Sequence, residues 1–145
     1  MRVVVQRVAR ASVTIDGEMV GSIGRGLLLL VAVHGEESRE DLEWMANRCV
    51  GLRIFPDSED KMNLGLEDVG GELLVVSQFT LYGDCSKGRR PSFIKAGRPE
   101  ISEKLIDEFV EILRGLGVKV ATGRFGAMMK VELVNDGPVT LIIDR

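Results

Sequence analysis

Two short polar segments interrupt apolar stretches of the chain, and both carry side chains able to do chemistry. The first is Ser77-Gln78-Phe79-Thr80-Leu81, directly after Leu73-Leu74-Val75-Val76. Read as one strand reaching Leu81, alternation puts Gln78 and Thr80 on one face and Ser77 and Phe79 on the other. Such a polar pair at the end of a buried strand can line a pocket mouth, although an ordinary solvated strand end has the same pattern. The second is Asn135-Asp136-Gly137-Pro138-Val139-Thr140, set between apolar runs. Its residue types predict a hairpin turn. Gly137-Pro138 is also a bond type that tolerates the cis form, and the sequence leaves the isomer open.

Other candidates carry less. Lys87, Arg89 and Arg90, with Lys95 and Arg98, form a basic cluster that reads either as a solvated loop or as a phosphate contact. The single histidine, His34, has no partners spaced as a catalytic triad requires, so a structural or surface role is expected. Cys49 and Cys85 fit neither a disulfide framework nor a metal-ligand pattern, and no metal site or cofactor is expected. There is no Gly-x-Ser-x-Gly elbow and no phosphate-binding glycine loop of the usual spacing. Trp44 and Met62 read as packing residues.

These residues need a scaffold, and the hydrophobic pattern outlines it. Residues 2–15 alternate as a strand, Asp16-Gly17 is a hairpin turn, and residues 18–23 return. Leu27 to Val33 is a continuous apolar run of strand length, expected to be buried on both faces. Ser38 and Asp41 form a capping-box pattern that opens a helix, with Leu42, Met45, Ala46 and Cys49 facing inward. Pro56 to Gly71 reads as a long loop and Leu73 to Leu81 as a buried strand. Tyr82 to Pro99 is an irregular stretch rich in Gly, Pro and basic residues. Pro99 opens a second helix whose stripe is Leu105, Ile106, Phe109, Ile112, Leu113 and Leu116, ending near Gly115 and Gly117. Residues 118–122, 129–134 and 139–144 complete the set as strands. The order predicts an α/β fold with a mixed β-sheet or open β-barrel-like core and two packed helices, as a single domain over residues 1–145.

With 145 residues, 45% of them hydrophobic, the chain can bury a sizeable core, and disorder is not expected. The longest apolar run is too short to cross a bilayer, and Gln6 and Arg7 break the N-terminal run before it resembles a leader. No membrane partner is expected, and the cytoplasm is the default location. A net charge of −3 argues against a protein that coats nucleic acid indiscriminately, and DNA is not an expected partner. A local basic patch can still guide an RNA end.

Along its whole length the sequence resembles the D-aminoacyl-tRNA deacylase family. The resemblance is carried by Arg2-Val3-Val4-Val5-Gln6-Arg7-Val8, Lys61-Met62-Asn63-Leu64 and Gly88-Arg89-Arg90-Pro91-Ser92-Phe93. Above all it rests on the two polar segments already described. One departure is Met128, where the family often has an acidic residue. The resemblance implies a homodimer that frees transfer RNA from D-amino acids by ester hydrolysis, and glycine would pass as well. It also implies that a Gly-cis-Pro pair, here Gly137-Pro138, reaches into the partner's site and bars L-amino acids. Hydrolysis passes through an oxyanion, for which the Phe79 N–H and the Gln78 side chain are candidate contacts. Ser77 would help bind substrate. Thr80 is either a nucleophile or an orienting group; orientation is preferred, since no activating base is evident. The resemblance leaves room for the ribose 2′-hydroxyl to assist. Lys87, Arg89 and Arg90 would meet phosphates near the RNA 3′ end. Three rivals stand beside this reading: a non-catalytic RNA-binding module, a serine or threonine hydrolase of small esters or peptides, and a purely structural dimer.

Overall fold

The computed structural model describes residues 1–145. Its elements run β1 (Arg2–Ile15), β2 (Glu18–Ile23), β3 (Gly26–Ala32), α1 (Arg39–Val50), β4 (Phe55–Pro56) and β5 (Met62–Leu64). They continue with β6 (Glu72–Ser77), a 3-10 turn (Phe79–Tyr82), α2 (Pro99–Gly115), β7 (Val120–Thr122) and β8 (Lys130–Asp144). The main sheet has the order β2-β1-β3-β6-β7, and β8 pairs with β1. Antiparallel pairs join β1 to β2, β3 and β8, whereas β3–β6 and β6–β7 are parallel. The far ends nearly meet. A methyl group on Gly21 of β2 would lie 2.4 Å from the carbonyl oxygen of Thr122 in β7. The expected mixed sheet is therefore curled almost into a barrel, with two helices on one side.

Why β3 is apolar at nearly every position is plain from what covers it. Leu27, Leu29 and Val31 enter one core with Leu42, Met45 and Cys49 of α1 and Phe109 and Leu113 of α2. Leu28, with Leu74 and Val76 of β6, enters a second core inside the curl, beside Val8, Val13 and Ile23. Alternate residues of the same strand thus bury themselves on opposite faces. Burial also pushes the Cys49 thiol up to about 12, whereas Cys85 is exposed. No helix is long and apolar enough to cross a membrane.

Local signals explain the element ends. Asp16 and Gly17 adopt positive φ (50° and 81°) in the β1–β2 hairpin, as a turn matching the strand twist demands. At α1, Ser38 Oγ accepts the Asp41 N–H at 3.2 Å, and the Asp41 carboxylate accepts the Ser38 N–H at 2.9 Å. Pro99 occupies the first turn of α2, where its missing N–H costs nothing.

Three expectations are corrected. Residues 56–71 are not a bare loop, because β4 and β5 pair antiparallel within them. Met62 is not a packing residue; it is 56% exposed on that small ribbon. Residues 135–140 do not make a hairpin turn, since β8 runs through them as one 15-residue strand. Its register with β1 jumps from Asn135↔Val8 to Thr140↔Gln6, so Asp136 to Val139 bulge opposite Arg7 alone. The buried Arg7 side chain holds this bulge, donating from Nε to the Asp136 carbonyl at 3.1 Å and pairing with its carboxylate at 3.0 Å. It also donates to the Ile54 carbonyl. Asn135 closes the base, its amide reaching the carbonyls of Arg7 and Val139 at 3.0 and 3.1 Å. The Gly137-Pro138 bond is cis.

Gly26 starts β3 where the backbone of β6 comes closest. A methyl there would lie 1.9 Å from the Glu72 carbonyl oxygen. Gly26→Ala is expected to destabilise by about 2–3 kcal/mol, because backbone on both sides must part. Denaturant melts check this, and an unchanged midpoint at unchanged slope would reject it.

Candidate active site

The strand β6 ends at Ser77, four residues before the sequence pattern suggests. Gln78 leaves the sheet with φ −147° and ψ 68°, and the chain enters the 3-10 turn. The expected alternation of Gln78 and Thr80 against Ser77 and Phe79 is therefore corrected: it holds only in a strand. Gln78 and Thr80 come together all the same, because the turn folds them onto one another. The Gln78 amide Nε2 donates to Thr80 Oγ1 at 2.5 Å. Its own N–H is tied to the Val31 carbonyl at 2.7 Å, which fixes the start of the turn against β3. The first N–H groups of a helical turn have no acceptor within it, so the turn itself offers none to Phe79.

This turn stands at the mouth of a cavity of about 320 Å³. Its walls include Val31 to Val33, Ser77, Phe79, Phe93, Ala96, Gly97, Pro99, Ser102, Ile106 and Phe125. The lining is mostly apolar, with Ser77 and Ser102 as its hydroxyl-bearing residues. Phe93 meets Phe79 edge-on, with ring centres 5.2 Å apart. A second cavity of about 340 Å³ shares Ser77, Ile106 and Phe125 and is edged by Asp107, Glu111 and Arg114.

Phe93, Phe125 and the Ala96–Pro99 segment are absent from the sequence-based candidates. Phe93 and Phe125 lie in irregular segments with no periodicity to mark them. Gly97 had a readable signal in its glycine-proline surroundings, and the structure shows its use. Its N–H donates to the Val33 carbonyl at 2.9 Å, and a methyl group there would sit 3.0 Å from the backbone of both His34 and Gly35. Only glycine lets this wall press so closely on the end of β3.

Lys87, Arg89 and Arg90 are exposed on the loop that leads to Phe93, and none of them pairs with a carboxylate. An isolated bridge, Asp84↔Ser92, closes the base of that loop beside the cavity mouth. His34 is half-exposed, its ring edge-on to Tyr82 at 6.4 Å and its Nε2 3.4 Å from the Glu37 carboxylate, and it makes no hydrogen bond to Gln78 or Thr80. No three His, Cys, Asp or Glu side chains converge as a metal site would need. Met128 is 90% exposed, so nothing in the cavity depends on its side chain.

Gly137 and Pro138 are not brought to Gln78 within the chain. Strands β3 and β1 lie between β6 and β8, which separates the two segments by more than about 10 Å. Beside Pro138 lies a separate hollow of about 500 Å³, lined by Arg7, Ile54, Met62 and Leu141 among others.

Fold and site together define a curled α/β domain in which Ser77 and Phe79 line an apolar cavity and the hydrogen-bonded Gln78 and Thr80 flank its mouth. A family model described as D-Tyr-tRNA(Tyr) deacylase matches residues 4–144, and the chain belongs to this family. A D-aminoacyl-tRNA deacylase of Desulfatibacillum aliphaticivorans is 59% identical over 144 residues, covering 99% of each chain. One from Chloroflexus aurantiacus is 60% identical over 144 residues, covering 99% of this chain and 90% of the relative. A solved structure named c-Myc DNA Unwinding Element Binding Protein superposes with a TM-score of 0.93 at 40% identity, covering 100% of this chain and 99% of the other. A probable eukaryotic D-amino acid tRNA deacylase shares the fold, with a TM-score of 0.86 at 21% identity over 99% and 98% of the two chains.

Below the cavity wall, Glu37 organises the turn that Gly97 presses against. Its buried carboxylate accepts the N–H groups of His34 and Gly35, each at 2.8 Å, and lies 2.9 Å from the Met1 ammonium group. Burial opposes its charge, yet the His34 N–H, the Met1 ammonium and the Gly35 N–H outweigh it and hold the carboxyl below its ordinary range. A carboxylate lowered on folding contributes stability that is full above its unfolded pKa and lost as pH falls through the folded value. Glu37→Gln is expected to flatten that acid slope. Leaving the ammonium unpaired is expected to cost about 3 kcal/mol at neutral pH. Urea melts between about pH 3 and pH 7 test both, and parallel stability curves would reject the assignment.

Proposed function

We propose that this chain hydrolyses the ester of D-aminoacyl-tRNA, releasing the D-amino acid and free transfer RNA. The observation that carries the reading is the full-length match to D-aminoacyl-tRNA deacylases at 56–60% identity. The Ser77–Thr80 turn at the cavity mouth supports it. In this reading the scissile carbonyl lies against the turn, and the Phe79 N–H stabilises the oxyanion as it forms. Ser77 lines the cavity behind it.

Thr80 orients rather than attacks. Its oxygen already accepts a hydrogen bond from Gln78, so its own proton is free to point toward a water or the substrate. A nucleophilic hydroxyl needs a base to take that proton, and Thr80 Oγ1 is hydrogen-bonded to Gln78 and to no histidine, lysine or carboxylate. An aminoacyl ester is inherently reactive, and placement of water, with help from the neighbouring ribose 2′-hydroxyl, suffices. No cofactor enters the scheme.

Chirality is read by a second copy of the chain. The edge of β8 away from β1 is unpaired along 15 residues, and Val134, Leu141 and Ile142 are exposed on that strand. An open edge of this length calls for cover. In a homodimer formed through it, Gly137-Pro138 of one protomer would enter the cavity mouth of its partner. Main-chain carbonyls there would crowd the position of an L side chain and admit the hydrogen of a D-amino acid or glycine. A backbone wall rejects by hand without reading side-chain identity. Lys87, Arg89 and Arg90 would meet phosphates near the RNA 3′ end, contacts that carry no base identity.

Matched D-, L- and glycyl-tRNA assays test the gate: D and glycyl esters are expected to be cleaved and L esters spared. Equal rates for both hands, or binding without release, would reject it. Thr80→Val is expected to slow the reaction about 10- to 100-fold while Thr80→Ser stays near wild type; complete loss in the valine variant would instead make Thr80 the nucleophile. Arg89→Ala with Arg90→Ala is expected to weaken binding to different transfer RNAs alike. The slope of log K against log salt should also shrink by about 0.7–0.9 per lost phosphate contact.

A further inference from the structure

Arg2, at the start of β1, reaches the C-terminal end of the Phe79–Tyr82 turn. Its Nη1 donates to the Leu81 carbonyl at 3.2 Å, while Nε and Nη2 grip the two oxygens of Asp144 at 2.7 and 3.2 Å. Its guanidinium carbon lies 5.7 Å from the centre of the Tyr82 ring. Asp144 is the register partner of Arg2 on β8, so the neighbouring strand sets the plane of the guanidinium.

The turn is thereby tied at both ends. At its start the Gln78 N–H is bound to Val31, and at its far end the Leu81 carbonyl is bound to Arg2. Phe79 and Thr80 lie between the two ties. The bonds inside the turn, Leu81 N–H to Gln78 and Gly83 N–H to Thr80, close it without fixing it to the sheet. We propose that Arg2, locked by Asp144, is a positioning residue that holds the Gln78–Thr80 turn in place for ester hydrolysis and links that turn to β8. The inference rests on the hydrolytic reading above. A planar fork serves three acceptors at once, which a lysine ammonium on a flexible stem does not.

Both partners are open to solvent, with side-chain exposures of 38% and 57%. An ion pair this exposed adds little to global stability, so positioning and stability separate in experiment. Arg2→Lys and Asp144→Asn are each expected to lower the single-turnover rate on D-aminoacyl-tRNA about tenfold, with KM within about twofold. Each is expected to speed hydrogen exchange in a peptide covering residues 78–83, with exchange elsewhere unchanged and Tm within about 2 °C. A lower rate without faster exchange in that peptide overturns the proposal, and so does faster exchange at wild-type rate. Wild-type protein that leaves D-aminoacyl-tRNA intact would sink the hydrolytic reading instead. The exchange comparison would then still decide whether Arg2 holds the turn.

Discussion

Main-chain pairing along both edges of β1 is the constraint on which the molecule depends. One edge is shared by β3 near the start of the strand and β2 near its end, while the other carries β8 over almost its whole length. Because β3 in turn carries β6, the cavity mouth and the Pro138 bulge are referenced to the same strand from opposite sides. Arg2 and Arg7 lie on β1 and bind, respectively, the turn after β6 and the bulge in β8. Shifting β1 by one residue would exchange its buried and exposed faces and misplace both features together.

Much of this was legible from residue types. The unbroken apolar run at Leu27 announced a strand covered on both faces, and Ser38 with Asp41 announced the start of α1. The stripe from Leu105 to Leu116 announced α2, although Leu116 itself caps the helix and is exposed. In each case the determinant is local, either a period or a cap, and the local preference agrees with the tertiary one. The Ser77–Thr80 segment was also visible, as polarity where burial was expected. Its shape was not, because a strand that leaves its sheet for a 3-10 turn keeps the same residue types for several positions.

The misses share a cause. Asn135-Asp136-Gly137-Pro138 has the chemistry of a turn, and a hairpin and a bulge satisfy that chemistry equally well. Pairing with β1 on both sides of the segment decides the matter, and that is long-range information. The Asn135 amide shows how the choice is secured, since it bonds both Arg7 of β1 and Val139 at the far side of the bulge. Phe93 and Phe125 escaped for a similar reason: the first meets Phe79 and the second packs on the helical core, contacts between segments apart in the chain. The separation of Pro138 from Gln78 within the chain is set by the order of β8, β1, β3 and β6 in the sheet, which no local pattern reports.

The division of β3 between two apolar compartments carries a consequence for how the protein tolerates change. Leu28 answers to the interior of the curl, and Leu29 to the helical layer. Neighbouring codons therefore address different interiors, so drift can loosen or refill one of them while the other keeps its shape. The helical layer includes Ile106, which also faces the cavity. Repacking there can reshape the cavity wall while the inner barrel, and the strand register it enforces, stays as it was.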